Sequence, residues 1–262
     1  FTSDLHINDF MFGKDTLGNI HLKVDNEIAR LYRVEVKIDG FDNDVQLLGN
    51  YKETDETLDL NLDINKLNLK SIQGFTMGNL KNSEGFLSGN FKINGVTSAP
   101  KINGFIKFNQ VAFNVAPLNS SFKDINEQIN INNEKIIFDN FLIKDEDNNL
   151  LQIVGDISHK TFNDFKFNLG INADNFKAVN SEESDNNLYF GKLVLDTKLR
   201  VKGDFNKPII DGNIKINKDT KFNIALPQTD PSLVDREGIV EFVDVANPTI
   251  IKHVAVKDQV NS

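Results

Sequence analysis

Four histidines, His6, His21, His159 and His253, are the side chains best suited to proton transfer or metal ligation near neutral pH, and they stand far apart in the chain. None sits in an HxxxH or HExxH pattern, and there is no GxSxG elbow, P-loop or GxGxxG turn after a strand. With no cysteine, a thiol nucleophile, a Cys-ligated zinc site and a disulfide scaffold are all excluded. Carboxylates are plentiful, but they fall at turn and solvent-facing positions. The cluster Asp145-Glu-Asp147 suits either a polar hairpin turn or a calcium loop. It lacks the required glycine and a distal bidentate Glu, so the hairpin turn is the expectation. No constellation joins a nucleophile, a base and an orienting group. The sequence therefore points away from an enzyme, and toward neither a cofactor nor a metal.

What remains is the chemistry of apolar surface. Phe, at 21 residues, supplies nearly all the aromatic content, and there is no Trp. An apolar fraction of 39% is enough for a core, which argues against wholesale disorder. The net charge of −9 and the absence of a basic stripe exclude nucleic acid as a natural partner, since phosphate neutralisation dominates that affinity. No apolar run approaches the roughly 20 residues a membrane helix needs. The chain begins at Phe1 rather than Met, so it reads as a piece of a longer polypeptide with its targeting segment upstream.

The elements that would carry this surface announce themselves by strict alternation. Leu58, Leu60, Leu62 and Ile64 alternate with Asp59, Asn61 and Asp63; Phe165, Phe167, Leu169 and Ile171 alternate with Lys166, Asn168 and Gly170. The rhythm returns at Ile106 and Phe108, at Val111, Phe113 and Val115, at Leu199 and Val201, at Ile214 and Ile216, and at Phe222 and Ile224. A period of two puts one side of each strand in an apolar environment and the other in water. Asn, Asp and Gly pairs such as Asp39-Gly40, Asn94-Gly95 and Asp211-Gly212 supply the turns, and the 36 asparagines are an unusually large share. Pro117 and Pro227 should end strands. Helical signal is thin, confined to a short turn near Phe176–Asn180 and the acidic linker Ser181–Asp185 after it.

An internal repeat organises these strands. Ile93, Gly95, Pro100, Gly104 and Asn109 are matched by Val201, Gly203, Pro208, Gly212 and Asn217 at a constant offset of 108 positions. Leu58–Ile64 matches Phe165–Ile171 at an offset of 107, and Leu69 matches Phe176. Residues 1–48 are expected to continue an upstream sheet, with 49–154 a first β-repeat and 155–262 a second. Two copies of about eight strands suggest a stacked, quasi-one-dimensional sheet extending on the order of 75 Å at ~4.8 Å per strand. A closed sandwich or barrel is the alternative.

Six segments of the second copy, in this order, carry a family likeness: Ile171–Asn180; Asn187–Leu195; Leu199–Gly203; Pro208–Gly212; Asp219–Pro227; and Glu237-Gly-Ile-Val-Glu-Phe242. They resemble the C-terminal region of TamB, the translocation and assembly module subunit, within the AsmA-like group. The Asn- and Lys-rich composition is similar to that of Bacteroidota members. The resemblance implies an all-β fold, an elongated U-shaped trough or β-taco with an apolar inner groove. It also implies a periplasmic protein anchored in the inner membrane by an upstream segment and reaching toward the outer membrane. Its partners would be phospholipid and a BamA- or TamA-type outer-membrane barrel, the latter met through residues beyond this segment.

Placing the alternating positions on that inner face assigns the groove to Leu58, Leu60, Leu62, Ile64, Phe91, Ile93, Ile106, Phe108, Phe113, Val115, Phe165, Phe167, Leu169, Ile171, Leu199, Val201, Ile214, Ile216, Phe222 and Ile224. Residues 59, 61, 63, 166 and 168 would face water. The leading expectation is a passive conduit that shields acyl chains between the two membranes. The alternatives are a scaffold for barrel-protein or autotransporter assembly, working through open sheet edges, and a structural spacer or adhesin. Charged edges such as Lys70–Gln73 would serve to block aggregation.

Overall fold

The computed structural model describes residues 1–159 and 164–225, and these form one antiparallel sheet of 15 strands in near-sequential order. The first half contains β1 (Thr2–Phe12), β2 (Asp15–Ile28), β3 (Leu31–Gly40), β4 (Asn43–Lys52), β5 (Thr57–Asn68), β6 (Leu80–Val96) and β7 (Lys101–Val115). A short helix α1 (Leu69–Gln73) and a 3-10 turn (Gly74–Thr76) separate β5 from β6. The second half contains β8 (Ser120–Ile125), β9 (Gln128–Asn132), β10 (Lys135–Lys144), β11 (Leu150–His159), β12 (Phe165–Ser181), β13 (Tyr189–Asp204), β14 (Lys207–Ile216) and β15 (Lys221–Ile224). Strands β8 and β9 share the width of β7, which pairs with β9 along its first half and with β8 along its second.

Alternation explains the pairing. Cross-strand partners share a face, so one apolar residue brings the next into line. The row Leu62, Phe91, Gly104, Ile131, Ile136, Ile157, Phe167 and Gly203 crosses eight strands without a polar side chain. The opposite face carries polar ladders: Lys92 on Asp59, Asn90 donating to Asp63, and Asn172 donating to Gln152, which donates in turn to Asn140. This is where much of the asparagine goes.

A line of β-bulges creases the sheet. Register shifts fall between Ile7 and Phe10, Ile64 and Leu67, Glu84 and Phe86, Val111 and Phe113, Phe138 and Phe141, and Ala173 and Phe176. At each bulge a residue leaves the ladder, and its N–H needs another acceptor. Neighbouring segments supply one: Asp9 N–H donates to Asn19 Oδ1 at 3.1 Å, Gln110 N–H to Asn126 Oδ1 at 2.8 Å, and Asn175 N–H to Asp196 Oδ1 at 2.8 Å. Glycine serves where strands approach too closely for a side chain. Gly155 sits at φ +119°, and a Cβ there would lie 2.1 Å from the Asn168 carbonyl oxygen.

The crease brings non-neighbouring elements together over the apolar face. Phe122 of β8 stacks on Phe176 of β12 with ring centroids 5.7 Å apart, although β10 and β11 lie between them in the sheet. Ser120 Oγ donates to the Ala178 carbonyl at 3.0 Å. On the other side α1 packs its Leu69 and Ile72 against Leu87, Val111, Ile125 and Phe141. The 3-10 turn that follows it meets the β1–β2 hairpin, where Phe75 stacks on Phe12 at 4.4 Å. A sheet folded on its own apolar face is the β-taco expected from the sequence.

Three local expectations are corrected. Asn94-Gly95 and Asp211-Gly212 lie inside β6 and β14 and make no turn, Gly212 sitting where a Cβ would meet the Lys198 carbonyl oxygen at 2.0 Å. The helix lies at Leu69–Gln73, while its repeat counterpart around Phe176–Asn180 is strand. The reason is tertiary: Phe176 and Val179 are buried by β8 and β13, which extends β12 past the point where the first repeat turns into α1. Lys70–Gln73 is accordingly a helix and not an edge strand. Pro117 follows β7 directly, as expected; Pro227 and the segment Glu237–Phe242 lie outside the described residues.

Candidate functional site

The apolar face is the candidate site, and the strands position it by register. All twenty sequence-assigned residues fall within the described strands. Through the rows Leu60–Ile93, Ile64–Gly89–Ile106, Leu169–Val201 and Ile171–Leu199 they join into one surface. Phe108 pairs with Leu87, Phe113 with Phe122, Val115 with Leu80 and Ser120, and Phe165 with His159. At the far end Ile214 faces Thr197, Ile216 faces Leu195, Phe222 faces Gly191 and Ile224 faces Tyr189. Residues 59, 61, 166 and 168 are exposed, in keeping with the parity, whereas Asp63 is half-buried beneath Asn90.

Depth along this surface is uneven. Ile64 and Phe91 form a buried cluster with Val45, and Phe108 and Phe113 pack on the cluster around Val111. Seventeen of the twenty are buried or half-buried. The other three, Ile214, Ile216 and Ile224, are exposed by 61, 65 and 67%. Ile210, on the same face opposite Val201, is 59% exposed.

Sequence reading missed the share of β2, β3 and β4. Leu22, Val36 and Leu47 extend the Leu62 row toward β1, ending on Leu5. The signal was available, since Val34, Val36 and Ile38 alternate as regularly as Leu58–Ile64. Those strands lie almost wholly outside the internal repeat, so no second copy reinforces their pattern. Ile125, at 1% exposure, is obscured because it stands beside a bulge that breaks the alternation, whereas Val111, part of an alternating run in the sequence, is the most deeply buried of that run at 0%.

The polar candidates resolve structurally. Asp145 is fully buried at the β10–β11 hairpin and accepts from the N–H groups of Asp147, Asn149 and Lys177 and from Asn149 Nδ2. A metal would compete with four donors already in place. Lys177 Nζ lies 2.6 Å from Asp147 and 3.6 Å from Glu146, so an ammonium holds the position a cation would want. Burial alone would lower the Lys177 pKa, but the hydrogen bond to Asp147 and the surrounding carboxylates outweigh it and hold it above its ordinary value. The same bond holds Asp147 below the usual carboxylate range. His6 and His21, fifteen residues apart, meet across β1 and β2, with Nδ1 of His6 against Nε2 of His21 and Asp4 at 2.7 Å from His6 Nε2. Among the described residues no group of three or more such ligands could hold a metal ion.

A creased antiparallel sheet that presents one continuous apolar face defines an all-β module of the β-taco class. The comparison with known families agrees. The sequence model of the TamB C-terminal domain matches the chain twice, over residues 41–138 and 139–259, and the chain belongs to that family. Neither a curated protein nor a solved structure matches it. Membership makes it a TamB-like protein of cell-envelope biogenesis. Among the described residues no helix is long and apolar enough to cross a membrane.

Proposed function

We propose that this chain is a periplasmic trough segment that shields phospholipid acyl chains on their way between the inner and outer membranes. The observation that carries the reading is the apolar row from Leu5 through Leu62, Phe91 and Phe167. It is continuous across the sheet, and the face it belongs to stays open at Ile210, Ile214 and Ile216. Several isoleucines exposed in one strand are costly unless something apolar covers them, at about 1.5–3 kcal/mol for each side chain fully buried. An acyl chain offers about 0.8 kcal/mol per buried CH2 and can slide, since a surface of Leu, Ile and Phe holds no polar group to anchor it. Head groups would stay in water along the polar rim.

A second reading is favoured by one observation. Among the described residues β14 pairs with β13 alone, and all ten of its residues are exposed. Such an edge is a template for a client strand, which suits a scaffold acting with a BamA- or TamA-type barrel. Mass spectrometry of solvent extracts of the purified chain separates the two. Stoichiometric phospholipid supports the conduit, and a lipid-free protein that captures unfolded barrel segments supports the scaffold.

A further inference from the structure

The short helix α1 has two sides. Leu69 and Ile72 face the core, while Lys70 and Ser71 line a cavity of about 570 Å3 whose other walls are Lys14, Asp15 and Thr16 of the β1–β2 hairpin, Phe41, Asn68, and Ser83–Gly85 of β6. That volume lies within the roughly 300–1,000 Å3 range of small-molecule sites. Four charged residues line it, Lys14, Lys70, Asp15 and Glu84. None has an ion-pair partner among the described residues, although two cations and two carboxylates border one space. Elsewhere on the sheet Lys66 pairs with Asp42 and Lys92 with Asp59.

Opposite charges held apart around one cavity fit a ligand that itself carries both signs. We infer that the cavity is a head-group site for a phosphoethanolamine. Its phosphate lies between Lys14 and Lys70, and its primary ammonium donates to Asp15 and Glu84. The assignment rests on the lipid reading above for the identity of its ligand and adds to it a subsite and a preference. A phosphate alone would satisfy the lysines and leave two carboxylates facing it, whereas a primary amine has three N–H groups to give them.

The test uses water-soluble head groups, so it needs no acyl groove. Binding of glycerophosphoethanolamine, glycerol 3-phosphate and inorganic phosphate to the 262-residue chain is measured by NMR titration, with far-UV CD confirming that each variant is folded. Saturable binding of glycerophosphoethanolamine, at least fivefold tighter than either plain phosphate, is the expected result. Lys14→Gln with Lys70→Gln should weaken it tenfold or more. Asp15→Asn with Glu84→Gln should bring glycerophosphoethanolamine down to the level of glycerol 3-phosphate. The site is overturned by no saturable binding, by phosphate or glycerol 3-phosphate binding as tightly as glycerophosphoethanolamine, or by variants that bind like the parent. Acyl capture at Phe167 without head-group binding would sink this site and leave the conduit standing; head-group binding without acyl capture would do the reverse.

Discussion

Val111 and Ile214 lie on the same face of one sheet, yet the first is 0% exposed and the second 61%. Nothing in their own side chains accounts for this, as both are β-branched aliphatics in alternating strands. The difference comes from what the crease brings over them. Between β5 and β11 the bulges fold the sheet so that α1, β8 and β10 close on the apolar face, and the Val111 cluster is a filled core. At β14 only β13 stands beside the strand among the described residues, and the same face is left open. One alternation pattern thus serves as core in one region and as unoccupied surface in the other. On the proposed reading, the closed region would hold the trough together and the open one would receive the cargo.

The largest expected effect tests the contrast directly. Phe108→Arg puts a charge against Phe141, whose ring centroid is 5.1 Å away, where half-buried Phe108 packs on the filled core. It should cost several kcal/mol and unfold the chain. Ile214→Arg, on the same face, should shift stability by no more than about 0.5 kcal/mol. Phe167→Arg lies outside both buried clusters and should leave the far-UV CD spectrum unchanged while impairing outer-membrane integrity in cells depleted of related transporters. Thermal melts of the three variants decide it, and equal destabilisation at Phe108 and Ile214 breaks the comparison.

Smaller effects probe the crease itself. Gly155→Ala forces a side chain into a positive-φ site against the Asn168 carbonyl and should cost about 1–3 kcal/mol in urea unfolding. Asn126→Ala removes the acceptor for the Gln110 N–H and should cost about 1 kcal/mol, loosening the fold over the closed region.

The smallest effect concerns the clasp beside the open end. Asp196 is held well below the usual carboxylate range by its hydrogen bond from Lys215, then by Asn217 and the Asn175 N–H. A carboxyl whose folded pKa is depressed contributes stability fully present above its unfolded value of about 3.9 and lost as the pH falls through the folded pKa. Asp196→Asn should therefore be less stable than the parent by a constant margin from neutral pH down to about pH 5, and the margin should shrink below about pH 4. Denaturant unfolding across that range checks the sign.

The sequence made the sheet, its parity and its apolar face readable, because a period of two survives in Leu58–Ile64 and Phe165–Ile171 whatever surrounds them. It did not reveal where that face is filled. Bulges at Gln110 and Asn175 are set by backbone geometry and by distant acceptors, Asn126 between β8 and β9 and Asp196 on β13, which no local pattern links to them. For the same reason Leu69 became helix while its counterpart Phe176 became strand: the sequences correspond, but only Phe176 has a β8 aromatic to stack upon. The pairing of His6 with His21 and of Lys177 with Asp147 likewise depends on register and hairpin closure.

The central claim is that the Phe167 face carries acyl chains. A photo-crosslinking residue placed at Phe167, and separately at Asn168, in the chain purified from envelope membranes tests it most directly. The account predicts a phospholipid adduct at position 167 and none at position 168, whose side chain lies in the outward ladder beside Asp156. Equal capture at both positions, or none at position 167, would contradict it.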